Sequence, residues 1–324
     1  MKLHQDLDAF IMLLEDVHQK TGYRLDVLEK DYYVVLMLYE LAAKQKEGLK
    51  AYFKGGTALY KALKMTNRFS EDIDISVDAR ECTRTQSDKR LEQATKKYTV
   101  LQRDSAVGKT NRSEVVSVYR YTPAVTYDEN DLLQRFGTVK VEATSFTISE
   151  PIEPLEIAPL LYEAASEEQK RILENNYDVK PFIVQTITLE RIFIDKLFAA
   201  EAYVRKSSIE QKAFEAAKHI YDLSVMSKHA KIARLLSDEG QMKYLLDIRM
   251  NEEMERLDGI PGVKPKEFTF FDSAYHNVDV QKAYKIMQKQ YVLRETDKID
   301  FETAAGSLNF INEALQKNTA WIHY

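Results

Sequence analysis

Phe53-Lys54-Gly55-Gly56-Thr57-Ala58-Leu59, followed by Arg68-Phe69-Ser70-Glu71-Asp72-Ile73-Asp74-Ile75, decides how this chain is read. The run from Leu49 to Phe53 leads into two glycines, after which Ala58, Leu59, Ala62 and Leu63 recur at helical spacing. The reading is strand, tight turn, helix. Glycine lets a backbone approach an anion closely, and the N–H groups of a helix's first turn point at it, so a triphosphate suits such a turn. Asp72 and Asp74 alternate with Ile73, Ile75 and Val77, so on a strand both carboxylates leave one face and the aliphatic side chains the other. Two carboxylates on one face repel unless a cation neutralises them. Hard oxygen ligands beside a phosphate-bearing substrate suit magnesium. Each signal alone is weak, since a lone DxD is more often a solvated strand face; together, in this order and this close, they are strong.

Working outward, residues 5 to 48 read as helices. Leu7, Phe10, Leu13, Leu14 and Val17 form one apolar stripe, and Val34, Val35, Leu38 and Leu41 another. From Ala51 to about Glu150 short β-rich runs dominate, among them Val115 to Tyr121 and Thr138 to Phe146. Pro151, Pro154 and Pro159 break regular structure, and from Ile183 onward helical periodicity takes over. The expected division is therefore 1–150, helices plus an α/β catalytic core, and 151–324, a mainly helical lobe. Between Ser237 and Val280 the pattern is least readable; Gly259-Ile260-Pro261-Gly262 reads as a loop and Phe268 to Phe271 as core aromatics.

These strings closely resemble the first two motifs of the AbiEii/AbiGii (MenT-like) nucleotidyltransferases, toxins of type IV toxin–antitoxin systems within the DNA polymerase β-like superfamily. Glu29-Lys30-Asp31-Tyr32-Tyr33 looks like the family's opening helical motif. The segment from Thr188 to Ala199 resembles the helix that carries its essential lysine, here Lys196, and His219-Ile220-Tyr221-Asp222 resembles the later motif that carries an aspartate. The matched blocks run from about Glu29 to Leu223. The resemblance implies an α/β (α+β) polymerase β-like core with N-terminal helices and a helical C-terminal lobe. It also implies an NTP substrate, Mg2+, a cognate antitoxin and an RNA acceptor, above all the 3′ end of tRNA, whose modification blocks translation.

The residues define the chemistry to be tested. Asp72 and Asp74 are the expected metal ligands, and Glu142 the third, because an acid at this strand position is expected in the family while Val139, Val141 and Ala143 point the other way. A solvated Glu142 paired with Lys140 is the competing reading. Gly55, Gly56 and Thr57 are expected at the β- and γ-phosphates, with Lys54 and Lys61 as nearby cations. Arg68 is expected to pair structurally rather than bind phosphate. Lys196 lies on a helix whose apolar face is Leu189, Ile192, Phe193 and Leu197, so it needs an anion; the triphosphate, Asp195 and Asp222 all qualify. Asp222 is expected either to orient Lys196 or to act as base, and Arg191 to extend the positive surface.

Composition bounds the rest. With 324 residues, 44% hydrophobic and 30% charged, the chain can bury a full core. A single cysteine, Cys82, excludes an internal disulfide, and no apolar run suggests a membrane span or signal peptide, so the cytoplasm is the default expectation. A net charge of −5 argues against indiscriminate DNA coating. Between Arg80 and Arg120, however, ten Lys/Arg face five acids, a stretch that reads either as a nucleic-acid face or as a solvated hairpin or helix. No His/Cys cluster suggests zinc, and no Ser-His-Asp hydrolase pattern is present. Transfer to a small molecule or a protein hydroxyl, and a non-catalytic NTP-binding module, remain open as alternatives to RNA.

Overall fold

In the computed structural model, residues 2–111, 113–126, 136–255 and 263–324 are described. Arg112 of the basic stretch and the Gly259–Gly262 loop lie outside them. The chain forms two compact units, residues 1–64 with 69–187, and residues 65–68 with 188–324.

The first unit opens with helices α1 (Leu7–Thr21) and α2 (Leu25–Lys46). Asp6 caps α1 by accepting from the Ala9 N–H, and Gly22 ends it in the left-handed region that glycine tolerates. Phe10, Leu13, Leu14 and Val17 are its buried stripe, as the spacing predicts. A seven-stranded mixed sheet follows, from β1 (Ala51–Lys54), β2 (Ile73–Val77), β3 (Gln102–Asn111), β4 (Glu114–Arg120), β5 (Thr138–Thr144), β6 (Ile152–Ile157) and β7 (Phe182–Ile187), in the order β3-β4-β5-β2-β1-β7-β6. Helices α3 (Gly55–Lys61), α4 (Arg84–Thr95), α5 (Leu160–Glu163) and α6 (Glu167–Tyr177) interrupt the strands. The basic stretch is thus α4 together with the β3–β4 hairpin, and Arg80, Lys96, Lys109 and Arg120 within it are each ion-paired to an acid.

The expected boundary at residue 150 is wrong. β6 and β7 belong to the sheet, β7 pairing in parallel with the central strand β1, so the unit extends to Ile187. Ile183, Val184 and Ile187 form a short apolar run, which periodicity cannot assign to strand or helix. Pro154 does not break β6, because β6 is an edge strand and an imino nitrogen there forfeits no ladder bond.

α2 is buried along nearly its whole circumference from Asp26 to Leu38, charged residues included. Each charge in Glu29-Lys30-Asp31 answers a different segment. Glu29 accepts from the Ala124 N–H at 2.6 Å, Lys30 donates to the Thr138 carbonyl, and Asp31 accepts from the Leu160 N–H at 2.7 Å and pairs with Lys61 at 3.0 Å. Burial pushes the Glu29 carboxyl up to about 7, with the backbone bonds opposing it.

The second unit is helical: α7 (Leu189–Arg205), α8 (Glu210–Met226), α9 (Ala230–Ser237), α10 (Glu239–Glu255), α11 (Phe270–His276), α12 (Val278–Tyr291), α13 (Phe301–Leu315) and α14 (Thr319–His323). Its core includes Ile192, Phe193, Leu197, Ala216, Ile220, Leu308 and the fully buried Trp321, which meets Phe268 edge-on at 5.3 Å. Phe268, Phe270 and Phe271 are therefore core aromatics, as read from the sequence. Residues 65–68 join this unit through an Arg68–Val292 bridge and a bond from the Leu293 N–H to the Asn67 carbonyl.

Candidate active site

β2 runs between β1, antiparallel, and β5, parallel, so Asp74 stands beside Lys54 on one side and Glu142 on the other. Ile73, Ile75 and Val77 are fully buried below. The opposite face gathers Asp72, Asp74, Glu142, Lys54 and Lys140. Lys140 Nζ lies 2.7 Å from Asp72 Oδ2 and 2.7 Å from Glu142 Oε1, whereas Lys54 Nζ donates to Thr144 Oγ1 at 3.1 Å. The Asp74 carboxyl is pushed up to about 7, first by burial and then by the charges of Glu142 and Asp72, which Lys54 and Lys140 offset only in part. Burial acts against the charge of Lys140, but Asp72 and Glu142 outweigh it and raise the pKa of its ammonium. Among the described residues no three His, Cys, Asp or Glu side chains stand ready to enclose a metal, since Lys140 lies between two of the acids. The donor set nevertheless fits a hard divalent cation: three carboxylates on adjacent strands, one destabilised by the other two, and a cation already bridging a pair of them.

The glycine turn is built against this face. Gly55 has φ +78°, and a Cβ at that position would lie 2.1 Å from Asp74 Oδ2. Glycine is thus required there twice, by backbone conformation and by the close approach of the carboxylate. α3 starts directly at Gly55, and the side chain of Lys54, its N-cap residue, makes no capping bond. Thr57 is fully buried; its hydroxyl donates to the Asp72 carbonyl and lies 3.0 Å from Ser70 Oγ.

In the helical unit, Asp222 on α8 is fully buried and receives Arg68 in a two-pronged contact, Nε to Oδ1 at 3.0 Å and Nη2 to Oδ2 at 2.8 Å. Lys196 on α7 adds a third contact, Nζ to Oδ2 at 2.6 Å. Burial alone would raise the Asp222 pKa, yet Arg68 and Lys196 together hold it well below the usual carboxylate range. His219 stacks on Tyr203 with centroids 5.3 Å apart, and burial foremost, then the charge of Lys196, keeps it neutral. A separate buried network joins Arg191 to Asp195 and Glu252, and Arg249 to Asp195, Glu252 and Glu253.

A glycine turn and a three-carboxylate face in this order are what the sequence motifs called for, and the comparisons with known proteins bear on the same region. The profile of the family described as nucleotidyl transferase AbiEii toxin, type IV TA system, matches residues 36–307. The chain belongs to this family. The AbiEii-family chain also resembles the solved structure of MenT4, the nucleotidyltransferase toxin Rv2826c of Mycobacterium tuberculosis. The TM-score is 0.50 and the identity 16%, over 94% of this chain and 98% of that one, a likeness of fold. JHP933 of Helicobacter pylori is more distant, with TM-score 0.40 and 18% identity over 86% and 91%. No curated protein matches the chain.

Several expectations change within this AbiEii fold. Lys61 is not available for nucleotide: it is buried and paired with Asp31, 30 residues earlier on α2. The Thr57 hydroxyl is turned inward to the Asp72 carbonyl, so it ties the turn to the acidic strand instead of facing a phosphate. Asp222 does not suit a base, because its oxygens are occupied by three cationic contacts; orienting Lys196 is the role its geometry fits. Arg191 is buried against Glu252 and extends no positive surface. Lys140 was legible only as a surface partner for Glu142, although its position two residues earlier puts it on the same face.

Proposed function

We propose that this AbiEii-family nucleotidyltransferase moves a nucleotide from an NTP to the 3′ acceptor end of tRNA in a magnesium-dependent reaction that blocks translation until a cognate antitoxin counters it in the cytoplasm. The observation that carries the reading is the grouping of Asp72, Asp74 and Glu142 on one sheet face, with Gly55 packed against Asp74. Bound at these three carboxylates, Mg2+ would neutralise phosphate oxygens during transfer. The turn at Gly55 and Gly56 offers backbone N–H groups at close range, and Lys54 supplies a cation on the same face. Transfer joins the acceptor oxygen to the α-phosphorus as the bond to pyrophosphate breaks. Lys196, held by Asp222, is proposed as a further cation needed for transfer. The choice of RNA rests on the family resemblance and on the basic surplus between Arg80 and Arg120. Among the described residues no helix is long and apolar enough to cross a membrane.

The test is incubation with each labelled NTP and deproteinised total RNA, with and without magnesium. Label in the tRNA band, dependent on magnesium and on one preferred NTP, is expected. Label that appears only on protein or small molecules would replace the RNA acceptor, and no transfer to any acceptor would remove the enzymatic role of the site.

A further inference from the structure

Lys140 sits two residues before Glu142 on β5, and the parallel register Ile73↔Val141 and Asp74↔Glu142 sets it beside Asp72. Its ammonium lies 2.7 Å from an oxygen of each acid, so it draws together two carboxylates that would otherwise repel. Magnesium binds carboxylate oxygens at about 2.0–2.1 Å and requires a near-octahedral shell. An ammonium bridging that pair of oxygens therefore competes with a metal ion for them and repels it at close range. The lysine stem is long and 39% exposed, so the head group has a way out to solvent without any rearrangement of the strand. Lys54 reaches the same face from β1, where its Nζ donates to Thr144 Oγ1 at 3.1 Å.

We propose that Lys140 is a tethered counter-ion, which holds Asp72 and Glu142 together in the metal-free protein and must be displaced when the divalent cation binds. The inference rests on reading Asp72, Asp74 and Glu142 as metal ligands. Metal binding is then an exchange of one cation for another, and Lys140 sets the metal concentration at which the enzyme loads. Once displaced, its ammonium is free on the face where the triphosphate is proposed to lie.

Two measurements test this without reference to activity. In the first, Mn2+ is titrated into wild type, Lys140→Gln and Lys140→Arg by calorimetry. Lys140→Gln should bind on the order of tenfold more tightly, because a competing charge a few ångströms away is gone, while Lys140→Arg keeps the competition. In the second, wild-type protein is acetylated with and without Mn2+ and each lysine is quantified by mass spectrometry, which needs no variant to fold. Labelling of Lys140 should rise several-fold with metal while that of Lys61, buried against Asp31, does not change. Equal or weaker Mn2+ binding by Lys140→Gln, or unchanged Lys140 labelling in metal-bound protein, overturns the counter-ion role and leaves the metal site standing. No Mn2+ binding by wild type or by Lys140→Gln overturns both, with Asp72→Asn as the reference for a lost site.

Discussion

Each unit of the chain holds a cluster in which carboxylates meet cations, and the two are built on opposite terms. On the sheet, three acids share Lys140 and Lys54, the side chains of Asp72 and Glu142 keep 32% of their surface in solvent, and the Asp74 carboxyl is raised to about 7. In the helical unit one buried acid, Asp222, serves two cations, and its pKa is depressed. The first cluster carries more negative charge than its own lysines neutralise, and it remains reachable. The second is closed and fully satisfied. A buried ion pair that loses one partner leaves an uncompensated charge, whereas an exposed excess of like charge is relieved by removing a member. The sheet cluster is therefore expected to respond to mutation in function, and the helical cluster in stability through Asp222, with Lys196 the member also proposed to serve transfer.

The comparison breaks most visibly at Asp74. Asp74→Asn should lower transfer by roughly 10³-fold or more, since several kcal/mol of metal-dependent stabilisation is lost, while the thermal midpoint of the metal-free protein stays level or rises. A variant that transfers at the wild-type rate would remove Asp74 from the site. Asp222→Ala should do the reverse to the fold: stranding Arg68 and Lys196 in the interior is expected to cost about 3–5 kcal/mol in chemical denaturation. Lys196→Ala sharpens this contrast, because Asp222 keeps both contacts from Arg68. It should fold with a modest loss of about 1–2 kcal/mol and yet lose transfer. If it unfolds as readily as Asp222→Ala, Lys196 is a structural residue only.

Titration separates the clusters by sign. Asp74 is raised in the folded state, so its ionisation destabilises the metal-free protein as pH climbs from about 4 towards 7. In chelator, the stability difference between Asp74→Asn and wild type should grow in favour of the variant across that range. Asp222 is depressed, so its contribution is intact above the ordinary carboxylate range and is lost only as pH falls below it. The penalty of Asp222→Asn should stay flat from pH 8 to pH 5 and narrow only in stronger acid; parallel profiles for the two variants would dissolve the distinction. The smallest effect is expected at Thr57, where Thr57→Ala removes a buried hydroxyl bonded to the Asp72 carbonyl. About 1–2 kcal/mol of stability should go, with nucleotide affinity, measured by calorimetry, nearly unchanged.

The sheet cluster was the more legible of the two. Period-two alternation is enough to put Asp72 and Asp74 on one face and Glu142 on one face of its own strand, and it also places Lys140 there. What it does not convey is which partner a charge takes across the fold: Lys61 finds Asp31 and Arg68 finds Asp222, pairings 30 and 154 residues apart in sequence. β3 shows another limit. Gln102 to Asn111 is polar and exposed with no alternation, and it is a strand because β4 supplies a ladder for it. β7 is ambiguous for the opposite reason, being too short and too apolar for its period to declare itself.

The buried charges of α2 set how far the first unit can be trimmed. Glu29, Lys30 and Asp31 are answered by a backbone N–H at residue 124, a carbonyl at 138 and a backbone N–H at 160. A fragment ending at residue 150, where the prolines suggest a joint, would keep the buried Asp31–Lys61 pair but remove the Leu160 N–H that also bonds Asp31, and would leave β1 without β7. The helix thus works as a checksum on the chain it leads: only a product that extends past Leu160 supplies every backbone partner that its three charges take.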